Sequence, residues 1–327
     1  FQQLSDHDAF RGELYRDFAD PIGIASRTMV EGLFGIHPDA LHDTLMICPG
    51  FPGEWDSASL ATPDISFDYK RLNDTELFTI KPSFPKRMNL KLRISARGEE
   101  VESVIINGEK NNWQSVEETI GKPYIEIITG YAPEYLISVN WKGDFPEDFS
   151  GTATMAFSQE LNIRTDRAVI EQIHDPQQIL HHTGIMSHHI QAGFNEITGN
   201  HTFFIRLRQG DFSWWEPFCV ELKKPVEIVA DLNQEDNALN FQIRNNTKTS
   251  ISARFVVNPG SRCFKGKEEI PPAVTSSYIA VPGEHIIPGS NQVRIESNGR
   301  SDQHHIVNWN ADKRDDHHFT TVDLTGY

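Results

Sequence analysis

From Leu45 onward the apolar residues of this chain recur with a period near two, in short runs bounded by Pro, Gly, Asn and Asp. That pattern excludes a helical fold for most of the sequence, because successive side chains of a strand point to opposite faces while a helix repeats every 3.6 residues. The clearest stretch is Asn89 to Ala96, where Leu90, Leu92 and Ile94 alternate with Lys91, Arg93 and Ser95 to give one core face and one wet face. Val101 to Ile106 comes next, and Asn107-Gly108 after it is a turn that accepts positive φ, so a hairpin is expected there. Tyr124 to Ile128 and Tyr135 to Trp141 extend the same module, which ends near Gly143-Asp144-Phe145-Pro146. Further strands are expected at Val169 to Ile173, His201 to Arg208, Pro225 to Ala230, Leu239 to Ile243, Ser250 to Val257 and Val293 to Ser297.

The first 44 residues differ. Leu4, Phe10, Leu14, Tyr15 and Phe18 recur at helical spacing until Asp20-Pro21, and a second helix begins near Pro21 and ends between Gly32 and Gly35. Two helices cannot bury a core alone. At 327 residues the chain is long enough for two or three domains. The expected architecture is mainly β: terminal helices over 1–44, an antiparallel β-sandwich over 45–149, a β-rich middle module over 150–222, and an immunoglobulin-like β-sandwich over 223–327.

Charge narrows the partners. With 46 acidic and 30 basic residues, a net charge of -16 disfavours nucleic acid and anionic lipid, which are bound through clustered Lys and Arg. No stretch approaches the roughly 20 apolar residues of a membrane helix. Cys48, Cys219 and Cys263 lie far apart, which excludes a disulfide-dense scaffold and a cysteine zinc site and leaves buried free thiols as the expectation. The histidine pairs His181-His182, His188-His189, His304-His305 and His317-His318 match no zinc spacing, and no metal or other cofactor is expected. Nucleophile elbows, phosphate-binding loops and dinucleotide fingerprints are absent from the sequence.

Two stretches carry a resemblance when read together: Arg27-Thr28-Met29-Val30-Glu31-Gly32-Leu33-Phe34-Gly35-Ile36-His37-Pro38-Asp39, and Pro49-Gly50-Phe51-Pro52-Gly53-Glu54-Trp55. They resemble the exit from the catalytic barrel of bacterial (α/α)6 glycoside hydrolases of α-L-rhamnosidase-like and trehalase-like type, where the last helix runs into a β-sandwich. Gln209-Gly210-Asp211-Phe212 with Trp214-Trp215-Glu216-Pro217 is also similar to an uncharacterised bacterial family, the domain of unknown function DUF4450.

The resemblance implies that the two helices close such a barrel, with Leu33, Phe34 and Ile36 sealing its floor, and that most of the catalytic domain lies upstream of Phe1. The chain would then be an accessory region, inactive alone, acting on bacterial or plant polysaccharide in the periplasm or outside the cell, with carbohydrate and an N-terminal helical-barrel fragment as partners. A stand-alone glycan-binding or cell-surface module is the alternative, and a purely structural spacer a third reading.

Glycosidic hydrolysis needs two carboxyl groups flanking the bond. Glu13 and Glu31 are the acids that the resemblance would place near a barrel interior. Arg27 precedes Glu31 by four residues, so an intrahelical ion pair is the competing expectation. Sugar binding needs flat aromatic faces ringed by polar groups, for which Trp55, Trp214 and Trp215 are the candidates. Trp214 and Trp215 are adjacent, so within a strand one should face the core and the other outward.

Overall fold

The alternating runs become strands at nearly the expected places. The computed structural model describes residues 19–149, 151–233, 238–260, 263–286, 289–297, 300–309 and 319–321. It is mainly β. The chain divides into two compact units: Phe1–Ser150 with Arg164–His174 and Phe204–Pro217, and Gly151–Ile163 with Asp175–Phe203 and Phe218–Tyr327. Residues 150–222 are thus shared between the units.

The first helical expectation, from Leu4 to Phe18, lies outside the described residues. The second begins as α1 (Ala19–Arg27) and widens into a π-helical turn over Thr28–Leu33, two residues from Gly35. No residue of that turn is buried, and Ile24 and Met29 are 65% and 50% exposed. The described residues of this segment form no helical barrel. Phe34 and Ile36, expected on a barrel floor, are instead buried in the β core of the first unit.

That unit holds β1 (Ile36–Asp39), β2 (Thr44–Ile47), β3 (Ser57–Ala61), β4 (Ile65–Leu72), β5 (Thr75–Pro82), β6 (Asn89–Ser95), β7 (Glu100–Ile106), β8 (Glu109–Lys110), β9 (Gln114–Val116), β10 (Tyr124–Thr129) and β11 (Tyr135–Lys142). They form two sheets, β1-β2-β6-β10-β9 and β3-β4-β5-β11-β7-β8. Most neighbours are antiparallel, but β2 and β6 run parallel, with Leu45 opposite Leu90 and Ile47 opposite Leu92. Inward residues at period two, among them Leu90, Leu92, Ile94, Phe78 and Ile80, are buried. The β7–β8 turn places Asn107 at φ 52° and Gly108 at φ 88°, as the Asn-Gly pair requires.

One glycine is obligatory. Gly35 has φ 62°, and a Cβ there would stand 1.9 Å from the Cys48 carbonyl oxygen, so only glycine lets β1 leave the π turn against the segment after β2. Cys48 N–H donates to the Gly35 carbonyl and Gly50 N–H to that of Leu33, both at 2.9 Å. The Gly-Leu-Phe-Gly-Ile and Pro-Gly-Phe-Pro stretches are therefore bonded to each other.

The middle strands are β12 (Gly151–Ala156), β13 (Leu161–Arg164), β14 (Val169–His174), β15 (Leu180–Met186), β16 (His189–Phe194), β17 (Gly199–Gln209) and β18 (Phe212–Lys223), in sheets β12-β18-β17-β14 and β13-β16-β15. The β17–β18 turn is the Gln-Gly-Asp-Phe stretch, with Gly210 at φ 56°. Strand β12 lies parallel to β18, a pairing that needs a long crossover and carries no local signature.

The last segment folds as β19 (Val226–Asn233), β20 (Ala238–Asn245), β21 (Ile251–Val257), β22 (Phe264–Ile270), β23 (Ile279–Val281), β24 (Gly289–Ser297), β25 (Arg300–Trp309) and β26 (Phe319–Thr321). Sheets β19-β20-β23 and β22-β21-β24-β25-β26 share one apolar cluster containing Phe241, Ile243, Phe255, Val257 and Val293. Asn245 is fully buried within it: its amide donates to the carbonyls of Thr249, Ile270 and Pro271, and its oxygen accepts from Thr247. One buried side chain thus bonds three backbone carbonyls. Cys48 and Cys263 are partly buried, but Cys219, expected buried, is exposed because it falls on the outward phase of β18. No helix among the described residues is long and apolar enough to cross a membrane.

Candidate functional site

Of the tryptophans singled out in the sequence, Trp55 stands in the most suitable setting. The segment 49–56 leaves β2 through Pro49-Gly50 and turns at Pro52, where Trp55 N–H donates to the Pro52 carbonyl at 3.1 Å. Phe51 points inward from this segment and meets Phe34 and Tyr69, each with ring centroids 5.2 Å away. Trp55 lies nearly parallel on the outer side of Phe51, at 6.1 Å and 21°. One indole face is thus backed by a ring anchored in the core, and the residue remains 39% exposed.

The backbone of the turn is pinned from beneath. Arg71 Nη1 donates to the Gly53 carbonyl at 2.7 Å, and Arg97 Nη1 reaches the same oxygen at 3.3 Å. Arg71 also holds Asp56, through Nε at 2.9 Å and through Nη2, while its own N–H bonds the Asp56 carbonyl. Arg97 Nε donates to Glu76 Oε1 at 2.8 Å. Glu76 is 4% exposed and also accepts from the Tyr69 hydroxyl at 2.8 Å and Trp141 Nε1 at 3.0 Å. Three donors around one buried carboxylate satisfy its charge. Burial, reinforced by that carboxylate, pushes the Tyr69 phenol well above its ordinary range.

The turn therefore offers a rigid indole, a donor at Trp55 Nε1, and the carboxylates of Glu54 and Asp56 at its rim. Such a surface stacks on the apolar face of a pyranose and accepts hydrogen bonds from its hydroxyls.

The remaining predicted residues are scattered. Trp214 is buried, 1% exposed, and donates from Nε1 to Glu216 at 2.7 Å. Trp215 faces outward, so the adjacent pair divides between core and surface as its spacing requires. It is not bare: Arg206 lies over its ring at 5.8 Å, its Nε1 donates to Glu118 at 2.7 Å, and Arg206 and Arg208 both pair with Glu171. This is a cross-strand charge ladder around an indole already in use. Glu31 forms an ion pair with Arg27, Nε to Oε2 at 2.7 Å, on an exposed helical turn. Glu13 lies outside the described residues.

Sequence reasoning missed Glu76 and Glu216. Both leave a signal: Glu76 is in phase with Phe78 and Ile80, and Glu216 with Trp214 and Phe218, so each acid sits where strand alternation demands an apolar residue. The Arg71–Asp56 and Arg97–Gly53 bonds leave none. Among the described residues no group of three or more His, Cys, Asp or Glu is placed to hold a metal. Among the described residues a groove of about 890 Å³ lies in the second unit, with Glu160, Glu196, Lys224 and Lys248 among its walls and no indole.

No family model matches the sequence, and no curated protein does. Among solved structures the chain is similar to Escherichia coli α2-macroglobulin activated by porcine elastase, at 10% identity over 76% of this chain, with a TM-score of 0.22. The chain spans 33% of the length of that protein, and the likeness is too loose to assign a fold.

Proposed function

We propose that this chain is a non-catalytic glycan-binding region, accessory to a glycoside hydrolase and working in the periplasm or outside the cell. The observation that carries the reading is Trp55: an exposed indole held parallel to Phe51, on a turn fixed by two arginines, with carboxylate acceptors beside it. A pre-ordered aromatic face loses little freedom when a sugar docks, which is where a binding module gains affinity. Exposed Ile24 and Met29 on the helical lead-in support the accessory form of the reading over a stand-alone module, since apolar side chains at a helix surface suit a further packing partner.

The test is sedimentation of the full chain with insoluble polysaccharides, followed by calorimetry on soluble oligosaccharides of the types that bind. Binding that weakens at least tenfold in Trp55→Ala, corresponding to about 1.4 kcal/mol, is the expected result. Failure to bind any glycan, or Trp55→Ala binding as tightly as the parent, would overturn it. Turnover of the bound glycan by the chain alone would overturn its non-catalytic part.

A further inference from the structure

We infer that the Trp55 site discriminates by ligand charge, taking neutral hydroxyl-rich glycans and rejecting uronate or sulfated ones, with Glu54 and Asp56 as the residues that set this preference. The inference rests on the glycan-binding reading.

Its basis is how the polar groups at the turn are committed. Two cations among the described residues are bonded to the turn, and both are spent inside the protein. Arg71 gives Nε and Nη2 to Asp56 and Nη1 to the Gly53 carbonyl. Arg97 gives Nε to buried Glu76 and Nη1 to the same carbonyl. A guanidinium recognises a carboxylate through paired donors, and here that fork is already taken.

Among the described residues bonded to or flanking the turn, these two positive charges stand against three negative ones, Glu76, Asp56 and Glu54. Glu76 is buried beneath the site and faces no ligand. Asp56 has a side chain 73% exposed, and both contacts from Arg71 fall on its Oδ1, so Oδ2 stays open. Glu54 is exposed and has no partner among the described residues.

The rim therefore presents carboxylate acceptors beside a single indole donor. Sugar hydroxyls, which donate as readily as they accept, complement it. An anionic sugar brings acceptors to acceptors and like charge to like charge, and the chain's overall -16 deepens the repulsion.

The experiment is calorimetry with the full chain at low and high salt, using cello-, xylo-, manno- and malto-oligosaccharides beside oligogalacturonates of equal length. Glu54→Lys is the main variant, because an exposed side chain that bonds none of the described residues can be reversed in charge without disturbing the turn. Glu102→Gln with Glu109→Gln, exposed on β7 and β8 at the edge of the sheet opposite β3, changes net charge by the same amount at the far side of that sheet. The expected result is at least tenfold tighter binding of a neutral series than of the galacturonates. That ratio should narrow severalfold in Glu54→Lys and in high salt, and stay unchanged in the distant double variant.

Galacturonates binding as tightly as the neutral series, with both lost in Trp55→Ala, would overturn the inference and leave the glycan-binding reading standing. A ratio that moves equally in the distant variant would overturn the assignment to Glu54 and Asp56. Absence of any Trp55-dependent binding would remove the reading itself.

Discussion

Replacing Glu216 with glutamine should make the first unit more stable near neutral pH and remove a slope in its pH dependence. Glu216 is 5% exposed on the inward phase of β18. Burial pushes its carboxyl up from the ordinary 4.5 to about 7, opposed by the Trp214 hydrogen bond and assisted by the nearby charge of Asp148. The folded state thus holds this proton up to about pH 7, whereas the unfolded chain releases it near 4.5. Between those values folding takes up a proton, so the stability this group confers is complete below 4.5 and is lost as pH rises through about 7. Each pH unit is worth up to roughly 1.4 kcal/mol, and the whole interval roughly 3 kcal/mol.

A glutamine side chain would keep an oxygen for Trp214 Nε1 and cannot ionise. Five of the six tryptophans, Trp55, Trp113, Trp141, Trp214 and Trp215, belong to the first unit, so indole emission during urea unfolding reports chiefly on it. Measured at intervals from about pH 4.5 to 8, Glu216→Gln should match the parent at the acid end and exceed it by about 2–3 kcal/mol at the alkaline end. A variant that unfolds in parallel with the parent at every pH would show that Glu216 is already ionised in the folded protein, and the burial argument would be refuted.

Three other changes should destabilise the chain. Glu76→Ala strips the charge partner from Arg97 and leaves two buried donors, Tyr69 and Trp141, without an acceptor, so a loss of about 3–5 kcal/mol is expected by urea unfolding. Glu147 accepts the N–H groups of Asp166, Arg167 and Ala168 at 2.8–2.9 Å, which outweigh its partial burial and hold its carboxyl below the ordinary range. Glu147→Gln turns one accepting oxygen into a donor facing those amides, which should cost about 1–3 kcal/mol in a thermal melt at neutral pH and progressively less as the parent is acidified below its ordinary carboxylate range. Gly35→Ala combines a left-handed backbone with a Cβ only 1.9 Å from the Cys48 carbonyl oxygen, and should lower the yield of folded protein or cost at least about 3 kcal/mol by the same melt.

The strands are legible in the sequence because their physics is local. Asn89–Ser95, Tyr135–Lys142 and Ile251–Val257 alternate cleanly, and Asn107-Gly108 announces its own turn. The parallel pairings β2–β6 and β12–β18 are not legible, since period two reports a strand and its buried face but not its neighbour. The division of 150–222 between two units is hidden for the same reason. At the site, Trp55 is visible as a residue type but not as a platform, because what makes it one is Phe51 behind it and Arg71 and Arg97 beneath it, the arginines coming from positions distant in sequence. The helical lead-in after Asp20 is legible as helix, but the burial at its end is not: Phe34 and Ile36 belong to the β core, to which Gly35 ties them through Cys48.

The buried amide of Asn245 has a bearing on how this protein can be made. Asn245-Asn246-Thr247 is an acceptor triplet for N-linked glycosylation, as are those at Asn73 and Asn200. The latter two lie exposed, and a glycan there would project into solvent. Asn245 has no exposed surface and spends its amide on three carbonyls, so an oligosaccharide attached while the nascent chain is still extended could not be accommodated afterwards. Secretion from yeast, insect or mammalian cells would then return a mixture in which the Asn245-modified fraction is retained and degraded, whereas a bacterial host, which does not attach these sugars, would be spared that loss.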